Sequence, residues 1–98
     1  MAQYIALVNW TDQGAQKATE SVGRAKAFEK MASEMGCHVH GLFYTMGAYD
    51  LTARVEAPDD ETVSALMLKV GQLGNIRSMT MRAFTEDQFE AIVKKVTG

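Results

Sequence analysis

Cysteine is nearly absent from this 98-residue chain: Cys37 stands alone, which excludes an intrachain disulfide, a paired-thiol metal knuckle and a Cys-x-x-Cys redox site. A lone thiol of this kind reads as a buried, inert side chain. An excess of one charge is missing too. Ten Lys and Arg against twelve Asp and Glu leave a net charge of -2, so nothing in the charge balance invites nucleic acid or an anionic membrane. No apolar run approaches the roughly 20 residues that span a bilayer, and Met1-Ala2-Gln3-Tyr4 lacks the charged-then-apolar pattern of a secretory leader. The expected location is the cytoplasm. No Gly-rich loop precedes a helix at the spacing of a dinucleotide or P-loop site. Leu51-Thr52-Ala53-Arg54-Val55-Glu56 carries no ring on which an RNA base could stack.

What is present is an ordinary globular composition, 47% apolar and 22% charged, long enough for one core and read as one domain over residues 1–98. Gln3 to Trp10 is apolar on both alternating faces, as a central strand covered on both sides would be. Ser21 can cap a helix running to about Met35, where Gly36 ends it; Ala25, Phe28, Ala32 and Met35, flanked by Val22 and Met31, give it one apolar stripe. Cys37 to Thr45 predicts a strand with Val39, Gly41 and Phe43 on one face and His38, His40, Leu42 and Tyr44 on the other. Gly47 supplies the turn into a further strand, in which Leu51, Ala53, Val55 and Ala57 oppose Asp50, Thr52, Arg54 and Glu56. After Pro58, Asp59 or Asp60 can cap a helix buried through Val63, Leu66, Met67, Val70 and Leu73, stopped at Gly74-Asn75. Asn75 to Phe84 predicts a fourth strand, with Met79, Met81 and Ala83 against Ser78, Thr80 and Arg82. Thr85-Glu86-Asp87-Gln88 is a capping box, and Phe84 with Phe89 has hydrophobic-staple spacing, so a last helix runs from Glu86 to about Val96 with Phe89, Ile92, Val93 and Val96 on its apolar face.

This order predicts an α+β fold of ferredoxin-like type, βαββαβ with an extra C-terminal helix, in which one antiparallel four-stranded sheet carries its helices on one face. If Leu51, Ala53, Val55, Val39, Phe43, Met79 and Met81 lie under the helices, the open face holds His38, His40, Leu42, Tyr44, Asp50, Thr52, Arg54, Thr80 and Arg82. To these the first strand adds either Ile5 with Leu7 or Tyr4 with Val8 and Trp10. Such an apolar patch is rarely left to water, so a homodimer, or a larger homo-oligomer built from dimers, is expected.

Several segments resemble one known family. Gly47-Ala48-Tyr49-Asp50, Glu56-Ala57-Pro58-Asp59-Asp60-Glu61, Leu73-Gly74-Asn75-Ile76-Arg77, Arg82-Ala83-Phe84-Thr85 and the opening Tyr4-Ile5-Ala6-Leu7 with Thr11-Asp12-Gln13-Gly14 are together similar to the GYD domain proteins of the dimeric α+β barrel superfamily. The resemblance covers nearly the whole chain. It implies a ferredoxin-like subunit that pairs sheet to sheet and supplies no reaction.

The chemistry-bearing residues of the expected open face are His38, His40, Tyr44, Asp50, Arg54 and Arg82. Two imidazoles on one strand can hold a metal, but a site needs a third ligand, for which Asp50 alone offers itself, so neither metal nor cofactor is expected. Two Arg, two His and a phenol around a partly apolar cleft suit a small organic anion; Asp50 could instead pair with Arg54 or Arg82. Tyr49, of opposite parity to Asp50, is expected in the core. The resulting function is small-molecule binding on the open face. The alternative is a cofactor-free oxygenase or isomerase using a His or Asp50 as base, which rests on analogy of fold.

Overall fold

The structure is a computed structural model that describes residues 1–98. Strand β1 (Ala2–Trp10) leads through a short helix α1 (Asp12–Gln16) and a 3-10 turn at Ala18–Glu20 into helix α2 (Ser21–Glu34). Strands β2 (His38–Tyr44) and β3 (Leu51–Ala57) form a hairpin, helix α3 (Asp60–Gly71) crosses to strand β4 (Ile76–Ala83), and helix α4 (Glu86–Thr97) follows. The sheet order is β2-β3-β1-β4, and every neighbouring pair is antiparallel. This is the ferredoxin-like arrangement expected of two strand-helix-strand halves.

Strand parity decides which residues the helices cover. In β3 the buried set is Leu51, Ala53, Val55 and Ala57, and their β1 partners Val8, Ala6, Tyr4 and Ala2 lie on the same side. Val63, Leu66 and Val70 of α3 and Ala32 of α2 close this core, with Cys37 buried in it. Ile5 and Leu7 therefore belong to the open face. Asp59 accepts from the Thr62 amide at 2.8 Å and so caps α3. Thr85 and Gln88 form the reciprocal capping box that starts α4.

Two strands depart from the expected parity. The register shifts between Val39 and Gly41, so His40 is the extra residue of a β-bulge, opposite no single residue of β3. An added residue exchanges the faces of everything after it. Leu42 and Tyr44 consequently lie with Ala53 and Leu51 on the helix side, whereas Phe43 pairs with Thr52 on the open side. In β4, Met79 and Met81 pair with Leu7 and Ile5, and Thr80 and Arg82 pair with Ala6 and Tyr4. The methionines thus face outward and Arg82 faces the helix layer, the reverse of the expectation. Alternation separates two faces but does not say which is the core face, and an edge strand with apolar groups looking outward defeats the assumption that the apolar set is inside.

Smaller corrections concern single residues. Ser21 does not cap α2, since Glu20 occupies that place without a side-chain bond. Ser21 is instead buried and its hydroxyl donates to the Tyr44 oxygen at 3.2 Å. Val22 is exposed. Tyr49 and Asp50 precede β3 and sit in the turn rather than in the strand, and Tyr49 is no part of the core cluster.

Candidate functional site

The turn from β2 to β3 places Asp50. Gly47 adopts φ +112°, a conformation open to glycine and costly for other residues, and the Thr45 amide and hydroxyl tie the loop to the Asp50 and Tyr49 carbonyls. With the loop closed, the Asp50 amide donates to the Val8 carbonyl at 2.9 Å and its carboxylate accepts the Trp10 amide at 2.9 Å. β1 outruns β3 here, and Asp50 satisfies the amide that β3 no longer reaches. It pairs with neither Arg54 nor Arg82, because the molecule's one ion pair joins His40 and Glu56. Asp50 is thereby a backbone-closing residue and not a member of an open-face cluster.

The remaining expected residues are scattered. His38, His40 and Arg54 share the open face, with the two imidazole centroids 6.2 Å apart. His40 Nε2 meets Glu56 Oε1 at 2.8 Å, and this hydrogen bond, ahead of the imidazole's charge, holds the Glu56 carboxyl below its ordinary range. Glu56 stands where Asp50 was expected, yet no three His, Cys, Asp or Glu side chains gather at metal-ligand spacing. Tyr44 lies across the sheet. Arg82 lies across it as well and on the far edge strand: its guanidinium stacks over the rings of Phe84 at 4.7 Å and Tyr4 at 5.6 Å and donates to the Gln3 and Ala83 carbonyls. Tyr4 beneath it is 3% exposed and donates its hydroxyl to Asp60. Burial, followed by the Asp60 hydrogen bond and charge, pushes the phenol up to about 12. The open face thus carries an apolar cluster of Ile5, Leu7, Met79 and Met81 across β1 and β4, from which Phe43 on β2 is set apart by Thr52, Arg54 and Glu56 of β3.

The concave site lies on the helix side. A cleft of about 270 Å³ runs beneath α2, floored by Val8, Leu51 and Ala53, walled by Phe28 and Met31 of α2 and Val70 of α3, and ended by Trp10 and Ile76. Twelve of its fifteen lining residues are hydrophobic, and the others are Ser21, Arg24 and Asn75, so polar groups are confined to a few points. Its end is set by a clamp between two segments that share no element. Thr11 donates its amide to the Asn75 carbonyl at 3.1 Å and its hydroxyl to Gly74, while Gln13 reaches the Leu73 carbonyl and the Asn75 side chain. Gly14 is pressed so close that a Cβ there would collide with the Asn75 carbonyl oxygen. Residues that line this cleft escape the sequence reading. The available signal is small side chains among the lining residues, Ala25 on α2 and Ala53 on β3, where a filled core would carry larger groups.

The matched segments agree with known proteins. A family model described as GYD domain matches residues 4–93. The chain belongs to the GYD family. A relative from Thermus thermophilus, named glutamine synthetase and cystathionine beta-lyase binding protein, is 31% identical over 84 residues, which cover 85% of this chain and 88% of the relative. Among solved structures, TTHA0845, also from Thermus thermophilus, superposes with a TM-score of 0.57 at 22% identity, covering 87% of this chain and 95% of that one. The hypothetical protein PHS023 from Pyrococcus horikoshii gives 0.56 at 19% identity, covering 88% and 93%. These two likenesses establish the shared fold. Within this GYD protein Gly47 and Asp50 serve to close the hairpin on β1, and the Thr11-Asp12-Gln13-Gly14 and Leu73-Gly74-Asn75 segments dock on one another.

Proposed function

We propose that this GYD protein is a non-catalytic cytoplasmic binding protein that works as a homodimer and takes a small molecule in the cleft beneath α2. The observation that carries the reading is the cleft itself, an apolar space of about 270 Å³ in a subunit that buries only 14 of its 98 residues, and so invests little in filling its own centre. The expected open-face cleft gives way to it, because the open face brings together neither Tyr44, Asp50 nor Arg82. Catalysis finds less support. Asp50 is engaged with a backbone amide, and the His40–Glu56 pair is exposed on the other side of the sheet from the cleft.

The open face supports the homodimer. Met79 and Met81 are 54% and 41% exposed beside Leu7 and Ile5, an apolar cluster across β1 and β4 of the kind that a symmetric partner covers, and Phe43 on β2 is 68% exposed. α4 adds a second uncovered stripe through Phe89, Val93 and Val96, and it packs on no other element of its own subunit to any extent. A protein partner is a second reading, favoured by the same uncovered stripe and by the relative named for binding two enzymes. Native mass spectrometry of freshly purified protein tests the proposal: a dimer carrying a retained small molecule is expected. A monomer with no adduct, and no thermal shift with any apolar small molecule, would dismiss it.

A further inference from the structure

The chemistry of the cleft also narrows what it can hold. An engineered apolar cavity of about 150 Å³ accommodates benzene, so about 270 Å³ has room for one ring or a branched chain together with a short polar extension. Three polar residues line it. Ser21 and Asn75 are neutral, Arg24 is cationic, and no acid is among the lining residues. Arg24 is not a loose surface arginine, since Nη1 donates to the Lys17 carbonyl at 2.8 Å and Nη2 to the Gly14 carbonyl at 3.2 Å. These bonds anchor the guanidinium of a cleft-lining residue without neutralising it, for both acceptors are uncharged. No carboxylate compensates it elsewhere, the molecule's one ion pair being His40 with Glu56 on the opposite face of the sheet. A guanidinium has five N–H donors, so a residue lining an otherwise apolar space carries an anchored cationic head with donors to spare.

We infer that the ligand is a small hydrophobic monocarboxylate, a single ring or a branched or medium-length chain with one carboxylate, whose apolar body lies between Phe28 and the sheet and whose carboxylate pairs with Arg24. The inference rests on the cleft being the ligand site and adds the ligand's class. A carboxylate there gains a charge-assisted, fork-shaped partner. A neutral analogue of the same shape keeps only the apolar contacts, and an amine meets a like charge.

Trp10, the chain's single tryptophan, lines the cleft and reports occupancy by its fluorescence. Phenylacetate, 3-phenylpropionate and octanoate would be titrated against the full-length protein beside the matching alcohols and amines. At least one carboxylate should bind about tenfold or more tightly than its alcohol, the gain expected of a charged hydrogen bond, and its amine should not bind. Arg24→Met should bring carboxylate and alcohol within about twofold while leaving alcohol binding in place, Arg24→Lys should retain part of the preference, and Ala25→Phe should abolish binding of both. If alcohols bind as well as acids to the parent protein, the ligand class is wrong while the cleft stands as a site, and this comparison holds even where a variant fails to fold. If no acid, alcohol or amine perturbs Trp10 at millimolar concentration, both the class and the cleft reading fall.

Discussion

Asp50 shows how a residue singled out for chemistry can be required by the backbone instead. Its carboxylate accepts the Trp10 amide, a hydrogen bond to a charged acceptor of the sort that contributes about 1.5–3 kcal/mol. Asp50→Ala should lower stability by about that amount in a urea titration, and Asp50→Asn, whose carbonyl can still accept, should lose less. Equal losses in the two variants would show that the bond is not what matters. Tyr4 supplies a pH signature. Burial and the neighbouring Asp60 raise its phenol from the ordinary 10 to about 12, so the unfolded chain loses this proton before the folded one does. A raised folded value contributes stability that is complete below pH 10 and is withdrawn as pH rises through 12. Tyr4→Phe should flatten the fall in stability across that window and remove the late phase of the ultraviolet tyrosine titration. If the parent protein shows no such late phase, the burial argument for Tyr4 is wrong.

At the scale of elements, most of the architecture is legible in the sequence, while the direction in which two strands face is not. The alternation of Leu51, Ala53, Val55 and Ala57, the Asp59 cap and the Thr85–Gln88 capping box all act locally, so local patterns report them. The bulge at His40 leaves no mark in the alternation, and it moves Tyr44 to the helix side. Apolar character alone assigns Met79 and Met81 inward, whereas their register opposite Leu7 and Ile5 places them outward. The cleft is invisible for a related reason: it is a property of how α2 stands over the sheet, which no single periodicity encodes. Its end depends on α1 lying against the segment before β4, and Gly14 is the residue that permits the approach. Gly14→Ala would drive a Cβ into a backbone oxygen, which cannot swing aside as a flexible side chain can, and the cost should reach or exceed the roughly 1–3 kcal/mol of ordinary overpacking. A depressed thermal midpoint together with a changed Trp10 emission is expected, because Trp10 borders the same contact. A variant as stable as the parent would mean that α1 does not clamp this loop in solution.

The whole molecule is elongated, with extents of 53 × 31 × 18 Å, and α4 is the long helix with no buried residue. A twelve-residue helix spans about 18 Å, and this one leaves the end of β4 without returning to the body, as the exposure of Phe89 at 57% and Val96 at 83% records. An isolated helix this short is marginal in water even with good caps, so its persistence calls for a surface to pack on. Within the proposed dimer that surface is the second subunit, since the first leaves the stripe bare. This separates two contributions that are usually mixed. Leu7→Glu places a charge at the centre of the open sheet face, between Thr52 and Met79, and should give monomers by light scattering at micromolar concentration. Val93→Glu touches no core of its own subunit, so the monomer's stability should stay within about 0.5 kcal/mol of the parent, as exposed substitutions do. Its effect should appear in association, where forfeiting the burial of this side chain in both subunits, at up to about 1.5–3 kcal/mol each, weakens the dimer by roughly two to four orders of magnitude. Unchanged dimer dissociation in Val93→Glu, alongside monomeric Leu7→Glu, would assign the interface to the sheet alone and leave α4 free for another protein.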